Sequence, residues 1–393
     1  MRAAGLRRAL RAAPSSRPST ALPDDAAFCR EVTDAMTDSL RPERHGEDGA
    51  TAVQPFTDSL VTGGKRMRAR LLRHAWLACR RRGRSADTHP RVVELAAALE
   101  LIQACAVVHD DVMDASALRR GGPALHVSAS AQHRAGGWSG SSDRYGVSMA
   151  ILAGDLALAR ADDLAAAVAR EIGGRGGAVL ETWRRMRADM VAGQALELRL
   201  QAEQGGSSEL ALTVASLKSG GYSVQRPLEL GADLAGATRG RKAALSGFGQ
   251  RVGLAFQLAD DLRDLFGDAA ELGKDPGGDI AEGKRTYLVL RALETAAARG
   301  MRHEEELIRS ALASGRADGA VVERVRAAVS ETGADHEVCA LVARLRDEAC
   351  AFLSAERFDD CARGRLLAVA RRLTAVPQAL GPRPAYAAAA PPL

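Results

Sequence analysis

Two short acidic clusters, Asp110-Asp111-Val112-Met113-Asp114 and Asp260-Asp261-Leu262-Arg263-Asp264, share the spacing DDxxD and lie 150 residues apart, each inside an apolar stretch with helical periodicity. On a helix turning about 100° per residue, the first and fifth positions share a face, so Asp110 stacks on Asp114 and Asp260 on Asp264. Like charges stacked beside apolar residues repel unless a cation neutralises them. Carboxylate oxygens suit Mg²⁺, which keeps several waters and shares its shell with substrate phosphates. One such cluster alone reads better as a solvated acidic face. Two at one spacing, each followed by basic residues, favour a metal and a phosphate.

The apolar stretches around the clusters demand a sizeable core, and 393 residues with 46% hydrophobic content supply it. Ala, Leu, Arg and Glu dominate while aromatics make up only 4%, a balance that favours helices over sheets. The fold class expected is all-α. Successive helical stretches run through about 65–82, 91–114, 147–171, 178–203, 208–235, 240–266 and 285–299, with shorter ones beyond. No linker interrupts them, so one large helical bundle is expected over residues 25–375. A basic arm, 1–24, and a Pro/Ala-rich tail, 376–393, are expected to be disordered.

The net charge of +5 comes from that arm, where Arg2, Arg7, Arg8, Arg11 and Arg17 precede the first acid, Asp24. The rest is near charge balance, without a basic stripe interleaved with aromatics, which excludes nucleic acid as the expected partner. The arm's Arg, Ala and Ser match a mitochondrial transit peptide in composition, but such arms are also common as plain disordered segments, and a cytoplasmic location is expected. The most apolar stretch, Val92 to Val108, is interrupted by Glu94, Glu100 and Gln103 and falls short of the roughly 20 residues that span a bilayer. No transmembrane segment is expected. Six cysteines, Cys29, Cys79, Cys105, Cys339, Cys350 and Cys361, lack CxxC spacing and read as reduced core residues.

Three breaks adjoin charged motifs: Gly63-Gly64, the segment Arg119 to Gly146, and the segment Gly267 to Gly283. The middle break contains AQHRAGGWSGSSDRYG, whose Gly and Ser content predicts a mobile surface loop. Gly63-Gly64-Lys65-Arg66-Met67-Arg68 sets flexible backbone before three cations at a helix start, where amides and the helix dipole also favour an anion. After the first acidic cluster, Arg119-Arg120 place two guanidinium forks within a loop's reach of the carboxylates. In the second half, Lys218-Ser219 lie mid-chain, Phe256-Gln257 stand one turn before Asp260, and Lys274 and Lys284 flank a Gly-rich loop. Carboxylates ringed by cations in an apolar helical bundle point to a substrate with a diphosphate head and a hydrocarbon tail.

These residues carry a resemblance. From Thr57 to Thr286 the chain is similar to the trans-isoprenyl diphosphate synthases, or polyprenyl synthetases, through GGKRMR, VHDDVMDASALRRGGPALH, AILAGDLALARAD, GQALEL, LKSG, GLAFQLADDLRD and LGKDPGGDIAEGKRTY in that order. The resemblance implies a bundle of the isoprenoid synthase type with a central cavity, and a head-to-tail condensation of isopentenyl diphosphate with an allylic prenyl diphosphate. It implies Mg²⁺ on Asp110, Asp114 and Asp260, supported by Asp111, Asp261 and Asp264. Arg119, Lys218 and Lys284 would stabilise the leaving diphosphate. Lys65, Arg68 and Arg120 would hold isopentenyl diphosphate, while Ser219, Phe256, Gln257 and Lys274 would line the allylic side. A homodimer is implied by resemblance alone.

Three positions depart from the pattern. Gln103 stands where the family commonly has a His against isopentenyl diphosphate, Ala69 replaces a frequent Pro, and Ser219 a frequent Thr. The retained acids and main cations favour an enzyme over a non-catalytic partner subunit. A terpene cyclase would mix Asn, Ser and Glu in its second metal motif, and this chain repeats DDxxD. In the family, product length is set by side chains just ahead of the first DDxxD. Here Cys105 and Ala106 are small, and Ile102 and Leu99, about 12 and 16 Å along the axis from Asp110, are the next walls. That pattern predicts geranylgeranyl diphosphate, with longer products as the alternative and farnesyl diphosphate disfavoured.

Overall fold

The structure, a computed structural model, describes residues 25–41, 55–80, 89–269, 275–315 and 318–380. The arm 1–24, Lys274 and the tail 381–393 lie outside the described residues. The chain divides into two compact units, the first Met1–Leu180 with Asp233–Gly236 and the second Glu181–Ala232 with Ala237–Leu393.

The first unit begins with α1 (Asp25–Leu40), a short helix at 55–61, α2 (Met67–Cys79) and α3 (His89–Met113). A two-stranded ribbon, β1 (Leu118–Arg119) and β2 (Gly122–Pro123), leads into α4 (Leu125–Ala135) and α5 (Ser142–Glu171). Helix α3 forms the centre. Leu95, Ala96, Ala97, Ala98, Leu99, Leu101 and Ile102 are fully buried, each large side chain worth about 1.5–3 kcal/mol of transfer free energy. The stretch Pro90–Met113 is 24 residues, long and apolar enough to cross a membrane by length and composition, so the length argument made from Val92–Val108 does not hold. Two thirds of its most apolar window is buried inside the protein, as a core helix requires.

The predicted loop over 119–146 is largely helical. Helix α4 occupies Leu125–Ala135, and α5 starts at Ser142, where the Ser141 hydroxyl accepts a hydrogen bond from the Arg144 N–H at 3.3 Å. The turn between them is held by rings: His133 lies 5.8 Å from Trp138 and 5.1 Å from Tyr145, centroid to centroid. Gly and Ser thus mark a short turn at 136–141, with Gly137 and Gly140 at positive φ.

The second unit holds most of α6 (Gly176–Glu203), then α7 (Ser208–Val214), a π-wound segment Ala215–Gln225, most of α8 (Arg226–Ala235), α9 (Arg239–Phe266), α10 (Gly278–Ala281), α11 (Tyr287–Arg299), α12 (Arg302–Ser314), α13 (Gly319–Thr332), α14 (Ala334–Ser354) and α15 (Asp360–Leu373). The single helix expected over 208–235 therefore changes winding in its middle. Its wide turn meets α9 at Gly220 and Gly253, where a Cβ on Gly220 would stand 2.9 Å from the Gly253 carbonyl carbon. The core is built from α9, α11, α13 and α14, including Leu262, Leu288, Val325, Val329 and Val338. Leu380, in a final 3₁₀ turn, joins that core, so order runs past residue 375 because an apolar side chain anchors it. All six cysteines are free, but only Cys79 and Cys105 are buried and Cys361 is exposed, which corrects the reading of all six as core residues.

Candidate active site

In the first unit, Asp110 and Asp111 lie in the last turn of α3, and Asp114 follows directly, its N–H donating to the Asp110 carbonyl at 2.8 Å. The helix is closed by Ala115 at φ 50 and by Ser116 N–H to Asp111 O at 2.9 Å, an αL closure made without glycine. The carboxylates thus sit at the negative end of a 25-residue helix with no basic residue in its last turn. Each charge there is disfavoured by about 0.3–1 kcal/mol. A cation removes that penalty.

The three acids differ in surroundings. Asp111 is 3% exposed and held by Arg119, whose Nε lies 2.7 Å from Oδ1. Asp110 and Asp114 are half-buried on the helix face that also carries Gln103 and Ala106. By helical phase, Leu99, Gln103 and Ala106 fall within about 40° of Asp110, whereas Cys105 falls about 140° away and Ile102 about 80°. Cys105 is buried instead near His109, Sγ 3.7 Å from Nδ1, and burial with the nearby Asp155 charge pushes its thiol up to about 12. Cys105 therefore faces away from the Asp110 stripe, on which Leu99, fully buried, is the first large apolar side chain behind Ala106 and Gln103.

Arg120 forms the turn of the ribbon with Gly121, both at positive φ, and the register pairs Leu118 with Pro123 and Arg119 with Gly122. Its Nη1 donates to Thr62 O at 2.6 Å, and its side chain lies over Gly63 and Gly64, where a Cβ would stand 3.0 and 3.3 Å away. Burial, then the Arg66 and Arg119 charges, lower the proton affinity of Arg120, an electrostatic load that an anion would lift. Arg66 itself turns inward: its guanidinium contacts Val61 O, Thr33 Oγ1 at 3.2 Å and Glu100 Oε2 at 3.7 Å. Glu100 Oε1 also accepts from Ala69 N–H at 3.1 Å, so one buried glutamate braces the start of α2. That leaves Lys65 exposed and Arg68 half-buried at the same helix start. The sequence reading missed Glu100, and also Asp155, which lies 3.7 Å from His109 where α5 passes closely at Gly154. The GD pair inside AILAGDLALARAD was the available signal.

In the second unit the other cluster occupies the last two turns of α9. The expected stacking of Asp260 on Asp264 does not produce two equivalent ligands. The Asp260 side chain is 58% exposed and paired with Arg263 at 3.0 Å, while Asp264 is buried and its Oδ2 accepts from Asp279 N–H at 2.9 Å. Asp264 thereby fastens the Gly-rich turn to the helix, assisted by Gly277 N–H to Asp264 O at 2.7 Å. Asp261 is buried and accepts from Gln257 Nε2 at 2.8 Å; burial first, then the Asp279 charge, raise its pKa well above the usual carboxylate range. Asp279 is a further acid that the sequence reading left out. Phe256, half-buried, lies 5.9 Å from the Arg263 guanidinium.

Lys218 sits in the π-wound segment and is ion-paired with Glu197, with Ser219 half-buried beside it. Gly193 lets α6 approach, since a Cβ there would collide with the Lys218 backbone. Lys284 is ion-paired with Glu282. Both glutamates are partners that the spacing of the motifs did not predict.

The donor set fits Mg²⁺ in kind: every candidate ligand is a hard carboxylate oxygen, and Asp110, Asp114 and Asp260 retain solvent access. Among the described residues no three His, Cys, Asp or Glu side chains converge on one point. An ion at either cluster would complete its shell with water and phosphate oxygens, the mode that Mg²⁺ prefers.

The family described as polyprenyl synthetase matches residues 50–329. A short chain isoprenyl diphosphate synthase of Methanocaldococcus jannaschii is 32% identical over 236 residues, 60% of this chain and 64% of that protein, so the chain spans a little under two thirds of that relative. Geranylgeranyl pyrophosphate synthase from Corynebacterium glutamicum, solved with isoprenyl diphosphate and magnesium, matches at TM-score 0.83 and 34% identity over 90% of this chain and 99% of that one. Polyprenyl synthase from Caulobacter crescentus CB15, solved with calcium and isoprenyl diphosphate, matches at TM-score 0.70 and 28% identity over 89% and 94%. The matched span contains both helix-end acidic clusters and the cations around them, and the chain belongs to the polyprenyl synthetase family.

Proposed function

We propose that the chain is a Mg²⁺-dependent head-to-tail prenyltransferase that joins isopentenyl diphosphate to an allylic diphosphate and yields geranylgeranyl diphosphate. The observation that carries this reading is the placement of each DDxxD at the C-terminal end of a long helix, with cations in the same unit. Acids at that end of a helix are electrostatically misplaced unless they work with a cation.

Asp110 and Asp114 in the first unit, and Asp260 in the second, would each hold Mg²⁺, which when bound supplies positive charge for the departing diphosphate. Arg119, Lys218 and Lys284 add fixed charge as the allylic C–O bond breaks and its electron pair leaves with the diphosphate. Lys65, Arg68 and Arg120 hold isopentenyl diphosphate so that its double bond faces the allylic carbon, and Gln103 adds a hydrogen bond. The new C–C bond leaves a carbocation that loses a proton, which the released diphosphate accepts. Gln257, Ser219 and Phe256 flank the allylic side, and Lys274 is assigned there by the motif.

Product length supports geranylgeranyl rather than farnesyl diphosphate because Ala106 is the side chain nearest Asp110 on its stripe and Leu99 lies about 16 Å along the axis. A homodimer is part of the proposal: α5 exposes Ile151 and Leu152 side by side, an apolar pair that a second copy would cover. Sedimentation of the purified protein tests it. For the activity, Asp110→Asn and Asp260→Asn should each lower kcat by about a hundredfold or more; variants as active as the parent would sink the assignment.

A further inference from the structure

Two adjoining cavities in the second unit carry a chemistry that the acidic clusters do not use. The larger, about 510 Å³, is lined by Arg285, Arg302, Arg309, Ser310 and Gln204, with Glu305 and Glu306 in its wall. The smaller, about 230 Å³, shares Arg285 and Arg309 but is otherwise walled largely by Leu290, Leu293 and Ala297. The two share Arg285 and Arg309, so cations at one end adjoin an aliphatic wall at the other, in which Leu290 and Leu293 are 3% and 4% exposed and Ala297 is at the surface.

Arg285 is the informative member. Its Nε is buried and makes no hydrogen bond among the described residues. Burial and the Arg309 charge both lower its proton affinity, so the two guanidiniums work against each other. Glu305 Oε1 engages Arg309 Nε at 2.9 Å, while Glu294, in the smaller cavity, is occupied by Ser208 and Arg291. A buried guanidinium N–H beside a second cation is satisfied by an oxyanion, which Arg forks bind in bidentate fashion.

We propose that these two cavities form one binding site for a phosphate-class anion bearing an apolar chain, its head on Arg285, Arg302 and Arg309 and its chain along Leu290, Leu293 and Ala297. None of these residues takes part in the reaction assigned above. The site therefore stands or falls apart from that assignment.

The test is calorimetric titration in EDTA of protein carrying Lys65→Ala, Arg119→Ala, Arg120→Ala and Lys218→Ala, which removes cations from both diphosphate positions assigned above. The probes are inorganic diphosphate and geranyl diphosphate. Expected is saturable binding of both, with geranyl diphosphate about tenfold tighter, and a further loss of about tenfold or more when Arg285→Gln and Arg309→Gln are added. Arg302→Glu alone, at an exposed position on α12, should weaken both probes and guards against misfolding of the combined variant. Absence of binding, or binding indifferent to all three arginines, overturns the site. Equal affinity for the two probes overturns the apolar half.

Discussion

The Arg119 guanidinium reaches back to the Asp111 carboxylate, Nε 2.7 Å from Oδ1, so the ribbon after the first acidic cluster is tied to the cluster itself. The buried acid serves as the anchor, while the flanking Asp110 and Asp114 are half-buried. Arg119→Lys keeps the charge but loses the fork. It should lower kcat/KM by about tenfold in steady-state assays, with little change in melting temperature because the side chain is 41% exposed.

Gly63 is fixed by two constraints, φ 75 and the Arg120 guanidinium above it. Gly63→Ala meets both, at about 1–2 kcal/mol for the backbone conformation alone. The expected outcome is a KM for isopentenyl diphosphate raised about tenfold with kcat less affected, measured with the allylic substrate saturating.

Product length should respond to the Asp110 stripe and not to the opposite face of α3. Ala106→Phe is expected to shorten the product and Leu99→Ala to lengthen it, read by chromatography of the dephosphorylated prenols. Cys105→Phe, placed in a site 2% exposed against His109, should lower stability by about 1–3 kcal/mol through overpacking without giving a discrete shorter product.

The Cys105 thiol, pushed up to about 12 from 9.0, binds its proton more tightly in the folded state than in the unfolded chain. Its contribution to stability is therefore complete below pH 9 and is lost as pH rises from there towards 12, by up to about 4 kcal/mol. Cys339, raised to about 11, acts in the same direction. Melting temperature should fall between pH 9 and 11, and Cys105→Ala should fall less steeply from its own lower starting value.

The parts of this site legible in the sequence are those set by helical period. Asp110 with Asp114, and the start of α2 after Gly63-Gly64, follow from spacing along one element. Glu100 bracing Ala69 across 31 residues, Glu197 holding Lys218 across 21, and Asp279 donating its N–H to Asp264 across 15 are tertiary choices with no local signature. Helix α4 is obscured in the sequence because Gly136, Gly137 and the serines after it outweigh the helix formers of LHVSASAQHRA, which are interspersed with His126, Val127, Ser128 and Ser130. The same limit explains Cys105: its small size was visible, but the face it occupies emerged only with α5 packed beside it.

The central claim is that helix-end carboxylates and their neighbouring cations turn over two diphosphate substrates through a divalent ion. Its most direct measurement incubates the full chain with isopentenyl diphosphate and dimethylallyl, geranyl or farnesyl diphosphate, with Mg²⁺ or with EDTA, and identifies the prenols released from the products. The predicted result is geranylgeraniol with Mg²⁺ and no elongation in EDTA; no elongation of any primer with Mg²⁺, or equal elongation in EDTA, would contradict it.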